Sequence, residues 1–239
     1  MRDTKIKFSI VMPCYKEENR LPAYLKELKE TLKEIPVELI IVDDGSPIES
    51  FNRLRDKISG ELSGSIFLHR YERNQGKGFA ISHGIHQANG EIVGFLDSDG
   101  AIPAYEVKNL LNIYSDNNSF DMLLASRIKM LGKNVDRSFM RHLSGRVFVT
   151  FISTLFNIPV YDSQCGFKLF KKNSYESLKN KITDTRWVWD TQLLILFFLN
   201  KKKIHEVPID WSGVADSKVN MLSDSLKMLL KMYNFKKGL

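Results

Sequence analysis

Short apolar runs bounded by polar turns alternate with amphipathic stretches through the first half of the chain. Phe8-Ser9-Ile10-Val11-Met12-Pro13 reads as a strand closed by proline, where a lost backbone donor does least harm. From Glu17 to Glu34, Leu21, Leu25, Leu28 and Leu32 recur at spacings of three and four, which predicts a helix packed on one side. Val37 to Val42 is continuously apolar, as a strand covered on both faces requires, and it stops at Asp43-Asp44-Gly45-Ser46. A helix over Ile48 to Ile58, a strand over Ser65 to Leu68 and a helix over Phe79 to Ala88 follow. Glu91 to Leu96 is the next strand, and it ends in Asp97-Ser98-Asp99. Asp121 to Ser126 is a fifth, followed directly by Arg127.

Strand and helix alternate about every 25 residues over this region, so the pattern predicts an α/β fold, a mostly parallel Rossmann-like sheet with right-handed crossovers flanked by helices. In the second half the pattern changes. Arg137 to Phe156 reads as a helix that is basic at one end and apolar over much of its surface, suited either to the core or to a membrane face. Val160 to Phe170 reads as a turn feeding a strand, Trp187 to Asp190 opens a helix, and Ile204 to Trp211 is a strand. Ser217 to Phe235 reads as an amphipathic helix with Leu222, Leu226, Leu229, Leu230 and Tyr233 on one side and Lys227, Lys231, Lys236 and Lys237 elsewhere. It suits an anionic lipid surface or a solvated cap on the fold.

Composition narrows the class. With 239 residues, 43% hydrophobic and 26% charged, the chain has the profile of a globular protein with a sizeable core. A net charge of +7 and a pI near 9.2 point to an anionic partner: nucleotide, phospholipid or nucleic acid. Cys14 and Cys165 are too few for a disulfide framework, and paired Cys/His zinc spacing is absent. The amino terminus lacks a signal-peptide core, and no run approaches the roughly 18 apolar residues of a spanning helix. The expected location is cytoplasmic, peripheral at the cytoplasmic membrane face. His83 and His86 read as surface or packing residues. Trp187, Trp189 and Trp211 lack the basic-aromatic alternation of a nucleic-acid surface, so no nucleic-acid partner is expected.

In such sheets ligands sit beyond the carboxyl ends of the strands. Here those ends carry Pro13-Cys14-Tyr15-Lys16-Glu17, Asp43-Asp44-Gly45-Ser46 and Asp97-Ser98-Asp99. Alternate strand residues point the same way, so Asp97 and Asp99 can face one hard divalent cation, magnesium or manganese, whose open positions phosphate oxygens would fill. Walker and GxGxxG spacings are both absent, so Lys77 within Gly76-Lys77-Gly78 reads as a lysine-bearing turn that closes over a nucleotide rather than as a phosphate loop.

These motifs, with Asn74-Gln75-Gly76-Lys77-Gly78, Ala125-Ser126-Arg127, Asp162-Ser163-Gln164-Cys165-Gly166-Phe167-Lys168, Arg186-Trp187-Val188-Trp189-Asp190 and Asp216-Ser217-Lys218, stand in the order found in family 2 glycosyltransferases. Within them the chain most resembles the polyprenyl-phosphate branch, over about residues 6 to 230. The resemblance implies a GT-A fold in a single domain, with a nucleotide-binding part over about 6–128, an acceptor part over about 129–220 and an amphipathic helix over about 217–235. It implies metal-dependent inverting transfer of a hexose from a nucleotide sugar, of the UDP-glucose or GDP-mannose type, to a polyprenyl phosphate. A hydroxyl acceptor or a non-catalytic nucleotide-sugar-binding role are the alternatives.

By the same resemblance Pro13, Tyr15, Glu17 and Asp43 would cradle base and ribose, Asp97 and Asp99 would hold the metal, and Arg127 would meet the donor phosphates. Arg137, Arg141, Lys168 and Lys218 are candidates for the acceptor phosphate or the leaving diphosphate. A lipid phosphate is already an anion and needs no base. For a hydroxyl acceptor, Asp162 is the first candidate base, ahead of Asp190. Family members often carry transmembrane helices; a chain without them would reach lipid by peripheral contact or through a partner membrane protein.

Overall fold

The computed structural model describes residues 7–117, 119–137, 139–213 and 221–239, with the side chains of 139, 141 and 221–225 outside that description. The chain runs β1 (Phe8–Cys14), α1 (Leu21–Leu32), β2 (Val37–Asp44), α2 (Ile48–Ile58), β3 (Ile66–Tyr71), α3 (Lys77–Gln87), β4 (Ile92–Leu96) and α4 (Ala104–Asp116). It continues through β5 (Met122–Ser126), β6 (Val135–Asp136), α5 (Phe139–Phe156), β7 (Phe167–Lys171), α6 (Lys172–Glu176), α7 (Trp189–Leu199), β8 (Ile204–Pro208), β9 (Trp211–Ser212) and α8 (Met221–Lys237).

Seven strands form one sheet in the order β3-β2-β1-β4-β7-β5-β8, and within it β7 runs antiparallel to its neighbours β4 and β5. The alternating pattern thus yields the expected mostly parallel α/β sheet. β1 lies between β2 and β4, so strand order reverses there, the place where open α/β sheets bind ligands.

Strand parity sends alternate residues to two cores. Phe8, Ile10, Met12 and Cys14 of β1 join α1, α2 and α4 on one face, while Val11 joins α3, α5, α7 and α8 on the other. The apolar run Leu193 to Leu199 belongs to α7, where residues 189–197 are all buried, so it is an interior helix. At the amino-terminal edge of the sheet, the buried Glu38 carboxylate accepts from Ser9 Oγ at 2.6 Å and from the Asn89 backbone at 2.6 Å, fixing the turn into β4.

Several boundaries differ from those the sequence predicts. α1 starts at Leu21, because residues 17–20 form a turn in which the Arg20 side chain reaches back to Glu17. The strand expected over Ile204 to Trp211 divides: β8 ends at Pro208, and Trp211–Ser212 pairs with β6 in a separate ribbon. α5 buries Phe148, Val149, Ile152 and Phe156 in the core and exposes Met140, Leu143 and Val147. On α8 the expected apolar side does not stay together, because Leu229 packs against the core. Met228, Met232 and Phe235 point inward, and Leu226, Leu230 and Tyr233 point outward.

β4 and β7 approach so closely at Gly94 that an added Cβ would stand 2.1 Å from the Lys168 carbonyl. Gly94→Ala therefore forces the two strands apart. At about 1–3 kcal/mol for overpacking and roughly 2–4 °C per kcal/mol for a chain of this size, calorimetry should show Tm lowered by roughly 2–12 °C.

Candidate active site

A cleft of about 800 Å³ lies over the reversal of strand order. Its floor is the carboxyl ends of β1, β2 and β4, and its walls include the loop before β7, the start of α7, α5 and α8.

β4 delivers Asp97 and Asp99 into this cleft. The Asp97 backbone donates to Gly166 O at 2.8 Å, and an added Cβ on Gly166 would stand 2.2 Å from Asp97 Oδ2, so only glycine lets the loop close on that carboxylate. Lys77 Nζ reaches Asp97 Oδ1 at 2.5 Å and lies 5.1 Å from the centre of the Phe95 ring. Burial opposes the Lys77 charge, but Asp97, Asp190 and Asp99 outweigh it and hold the ammonium above its usual range. Asp99 accepts from the Ala101 backbone at 3.0 Å. Burial first, then repulsion from Asp97, raises its carboxyl above the ordinary range.

Two carboxylates one residue apart at the end of a strand fit a hard divalent cation that completes its shell from a ligand. Among the described residues no third His, Cys, Asp or Glu joins them in a metal-holding group.

Beside this pair, β2 ends in two aspartates with different surroundings. Asp44 organises the turn into α3. It accepts from Tyr71 Oη at 2.8 Å, Asn74 Nδ2 at 2.9 Å and the Gln75 and Gly76 backbones at 2.7 and 2.9 Å. Asp43 is 1% exposed and sits beneath the cleft lining rather than in it. Its Oδ1 accepts from the Ser46 backbone at 3.0 Å, while Oδ2 is buried without a hydrogen-bond partner. Burial pushes this carboxyl up. Pro13, Tyr15 and Glu17 line the cleft next to it.

Opposite, Arg127 lines the cleft and is gripped by Asp162, Nε to Oδ2 at 2.6 Å and Nη2 to Oδ1 at 2.8 Å. Asp162 also accepts from the Arg127 and Gln164 backbones, and its own amide is held by Glu206 at 2.7 Å. Asp162, the candidate base for a hydroxyl acceptor, is found paired with Arg127. The carboxylate is 5% exposed, and although burial works against its charge, Arg127 holds it well below the usual carboxylate range. With both oxygens bonded to Arg127, the carboxylate serves here as the anchor that aims that arginine.

Lys168, expected near a phosphate, is 0% exposed. Its Nζ donates to Asp190 Oδ2 at 2.8 Å and Cys165 O at 3.1 Å, so it braces Asp190 from inside and has no surface to offer a ligand. Arg137 lines the cleft, whereas the side chains of Arg141 and Lys218 lie outside the described residues. Arg20 and Asp44 are among the cleft residues to which the motif pattern gives no site role. Arg20 enters from the turn before α1, and Asp44 binds the Asn74-Gln75-Gly76 turn, whose sequence is the signal that could have pointed to it.

The Arg127–Asp162 pair carries a pH signature. A carboxylate whose folded pKa is depressed stabilises the fold above its unfolded pKa, about 3.9, and loses that contribution as pH falls below it. Asp162→Asn should cost about 3–5 kcal/mol at pH 7, read by urea unfolding, with the gap to the parent protein narrowing as pH drops below about 4.

Residues 9–179 match the sequence profile of glycosyl transferase family 2. Curated relatives include a dolichyl-phosphate β-glucosyltransferase of Dictyostelium discoideum, 29% identical over 93% of this chain and 72% of the relative. The Saccharomyces cerevisiae dolichyl-phosphate β-glucosyltransferase is 30% identical over 95% of this chain and 73% of its own length. Among solved structures, glucosyl-3-phosphoglycerate synthase of Mycobacterium tuberculosis with Mn2+, UDP and glucosyl-3-phosphoglycerate superposes with a TM-score of 0.74. That match is at 17% identity over 98% of this chain and 80% of the other, which establishes the shared GT-A fold. The chain belongs to glycosyl transferase family 2 and is a hexosyltransferase.

Proposed function

We propose that the protein transfers glucose from UDP-glucose to a polyprenyl phosphate, with a divalent metal and with inversion at the anomeric carbon. The observation that carries this reading is the layout of the cleft. Two carboxylates line it together with Arg127 and Arg137, and α5 and α8, both with apolar outward faces, wall it through Phe148 and Met228. A carboxylate pair suits a metal-bound diphosphate, the arginines suit phosphates, and the apolar helices suit a hydrocarbon chain. Relatives named for glucosyl transfer to dolichyl phosphate support the choice of sugar and acceptor.

In this mechanism Pro13, Tyr15 and Glu17 hold the nucleoside, and Asp43, buried beneath them, fixes the turn at Ser46 that supports them. Asp97 and Asp99 would hold Mg2+ or Mn2+, which when bound offsets charge on the leaving diphosphate. Lys77 and Arg127 add cations on either side of the same group, where negative charge develops as the glycosidic bond breaks. Arg127 is pre-aimed by Asp162, so little reorganisation accompanies that step. Arg137 meets the acceptor phosphate, joined by Arg141 and Lys218. The acceptor oxygen is already anionic, so the reaction needs no base, in keeping with Asp162 being fully engaged. Nucleotide and acceptor parts act as one domain, because β7 and β8 complete the sheet that β1 to β5 begin.

No helix among the described residues is long and apolar enough to cross a membrane. The outward residues Leu226, Leu230 and Tyr233 of α8, with Lys227 and Lys237 alongside, instead suit peripheral contact with an anionic cytoplasmic leaflet.

With radiolabelled UDP-glucose, Mn2+ and polyprenyl phosphate, Asp99→Ala should reduce transfer by roughly 100-fold or more, and EDTA should do the same to the parent enzyme. Full activity in EDTA refutes the metal mechanism, and no labelled lipid from the parent enzyme refutes the acceptor. In flotation with phosphatidylserine vesicles, replacing Leu226, Leu230 and Tyr233 together by Ser should weaken binding by about tenfold or more.

A further inference from the structure

α8 meets the rest of the molecule through the apolar Met228, Met232 and Phe235 and through two lysines. Lys236 donates to Leu155 O near the end of α5. Lys231 donates to Asp184 Oδ2, in the loop that leads into α7. The two partners differ in burial: the Lys231 side chain is 48% exposed and that of Asp184 is 5% exposed. A carboxylate this buried depends on its counter-charge and its hydrogen bonds.

Asp184 also shapes its loop. Oδ1 accepts from the Arg186 backbone at 2.7 Å and the Val188 backbone at 3.3 Å. Gln192 Oε1 of α7 accepts from the Thr183 and Asp184 backbones at 2.9 and 3.0 Å. Residues 183–188 are therefore wound around two side-chain acceptors, and the outer one is held by α8.

The other side of this loop is the cleft. Arg186 and Trp187 line it. Thr185 O accepts from the Phe79 backbone at 2.8 Å, which ties the loop to the first turn of α3. Gly76, at φ +104°, packs so closely that a Cβ there would stand 2.5 Å from Arg186 Cγ. The next residue is Lys77, the partner of Asp97. A continuous set of contacts thus runs from the outer helix through Lys231, Asp184, Arg186 and Gly76 to the carboxylate pair.

We propose that Lys231 is a positioning residue for sugar transfer: through Asp184 it holds the Thr183–Val188 loop so that Arg186 and Trp187 stand at the cleft beside Lys77. The inference rests on the reading of this cleft as the donor site. It adds that α8, the helix with the outward apolar strip, is coupled to donor binding, so seating that strip on a lipid surface also steadies the loop. Loss of the ammonium leaves Asp184 without its cation, and the loop rather than the core gives way, because Lys231 itself is half exposed.

The test uses the full chain as Lys231→Met and Lys231→Arg, each also combined with Trp187→Phe and with Arg186→Ala. Acrylamide quenching assigned to Trp187 by difference should rise about twofold in Lys231→Met and stay at the parental value in Lys231→Arg, as expected for a local opening. The kcat/KM for UDP-glucose should fall about three- to tenfold in Lys231→Met, with no further fall when Arg186→Ala is already present. Unchanged Trp187 quenching, or losses that multiply in full in the double variant, overturns the proposal. Quenching is read without acceptor, with and without UDP and Mn2+. A parent enzyme inactive on polyprenyl phosphate would thus sink the acceptor assignment and leave the Lys231 result standing.

Discussion

The delivery of Asp97 and Asp99 to one space at the end of β4 is the constraint around which this cleft is built. Their surroundings fix that placement: the Gly166 carbonyl holds one backbone, the Ala101 amide holds the other side chain, and strand β4 aims both at one space. Two ammonium groups approach the Phe95 ring on the same strand, Lys77 at 5.1 Å and Lys168 at 5.3 Å. One neutralises Asp97 directly, and the other is sealed in the core and steadies Asp190. The site is thus an anionic focus already surrounded by fixed cations, and a metal-bearing diphosphate completes the balance instead of disturbing it.

The same logic explains the contrast between the acidic residues. Asp162 and Asp44 are saturated with donors and act as scaffolding, the first for an arginine, the second for a turn. Asp99, which lines the cleft, takes one backbone donor, from Ala101, and so keeps acceptor capacity to spare. Carboxyl oxygens that a protein leaves unmatched are the ones a ligand can match.

Much of this is legible in the residues themselves, and the exceptions have physical causes. The strand ends announce themselves because, in a doubly covered sheet, a run of β-formers that stops in carboxylates must deliver them to the rim. Lys168 resembles a ligand group in the sequence because a lysine among Phe167, Leu169 and Phe170 looks like a polar tip; only the fold shows that β7 is an inner strand with Asp190 beside it. Asp162 is deceptive for the complementary reason: its arginine partner is 35 residues away. On α8 the leucine spacing shows an apolar side but not which way it faces; Met228, Met232 and Phe235 pack beside Phe156, and Leu226 and Leu230 stay outside. Arg20 is hidden by the apolar periodicity around it, which gives no hint that the helix starts one residue later.

The antiparallel strand β7 has a consequence for how the molecule is made. It inserts between two strands that are finished long before it, since Leu96 waits for Phe167 and Met122 for Phe170. During synthesis, β4 and β5 emerge with bare edges that only a segment much later in the chain can cover. Closure is therefore a long-range event with a high entropic cost, and the nascent amino-terminal half carries open strand edges, prone to pairing with other chains until Phe167–Lys171 arrives.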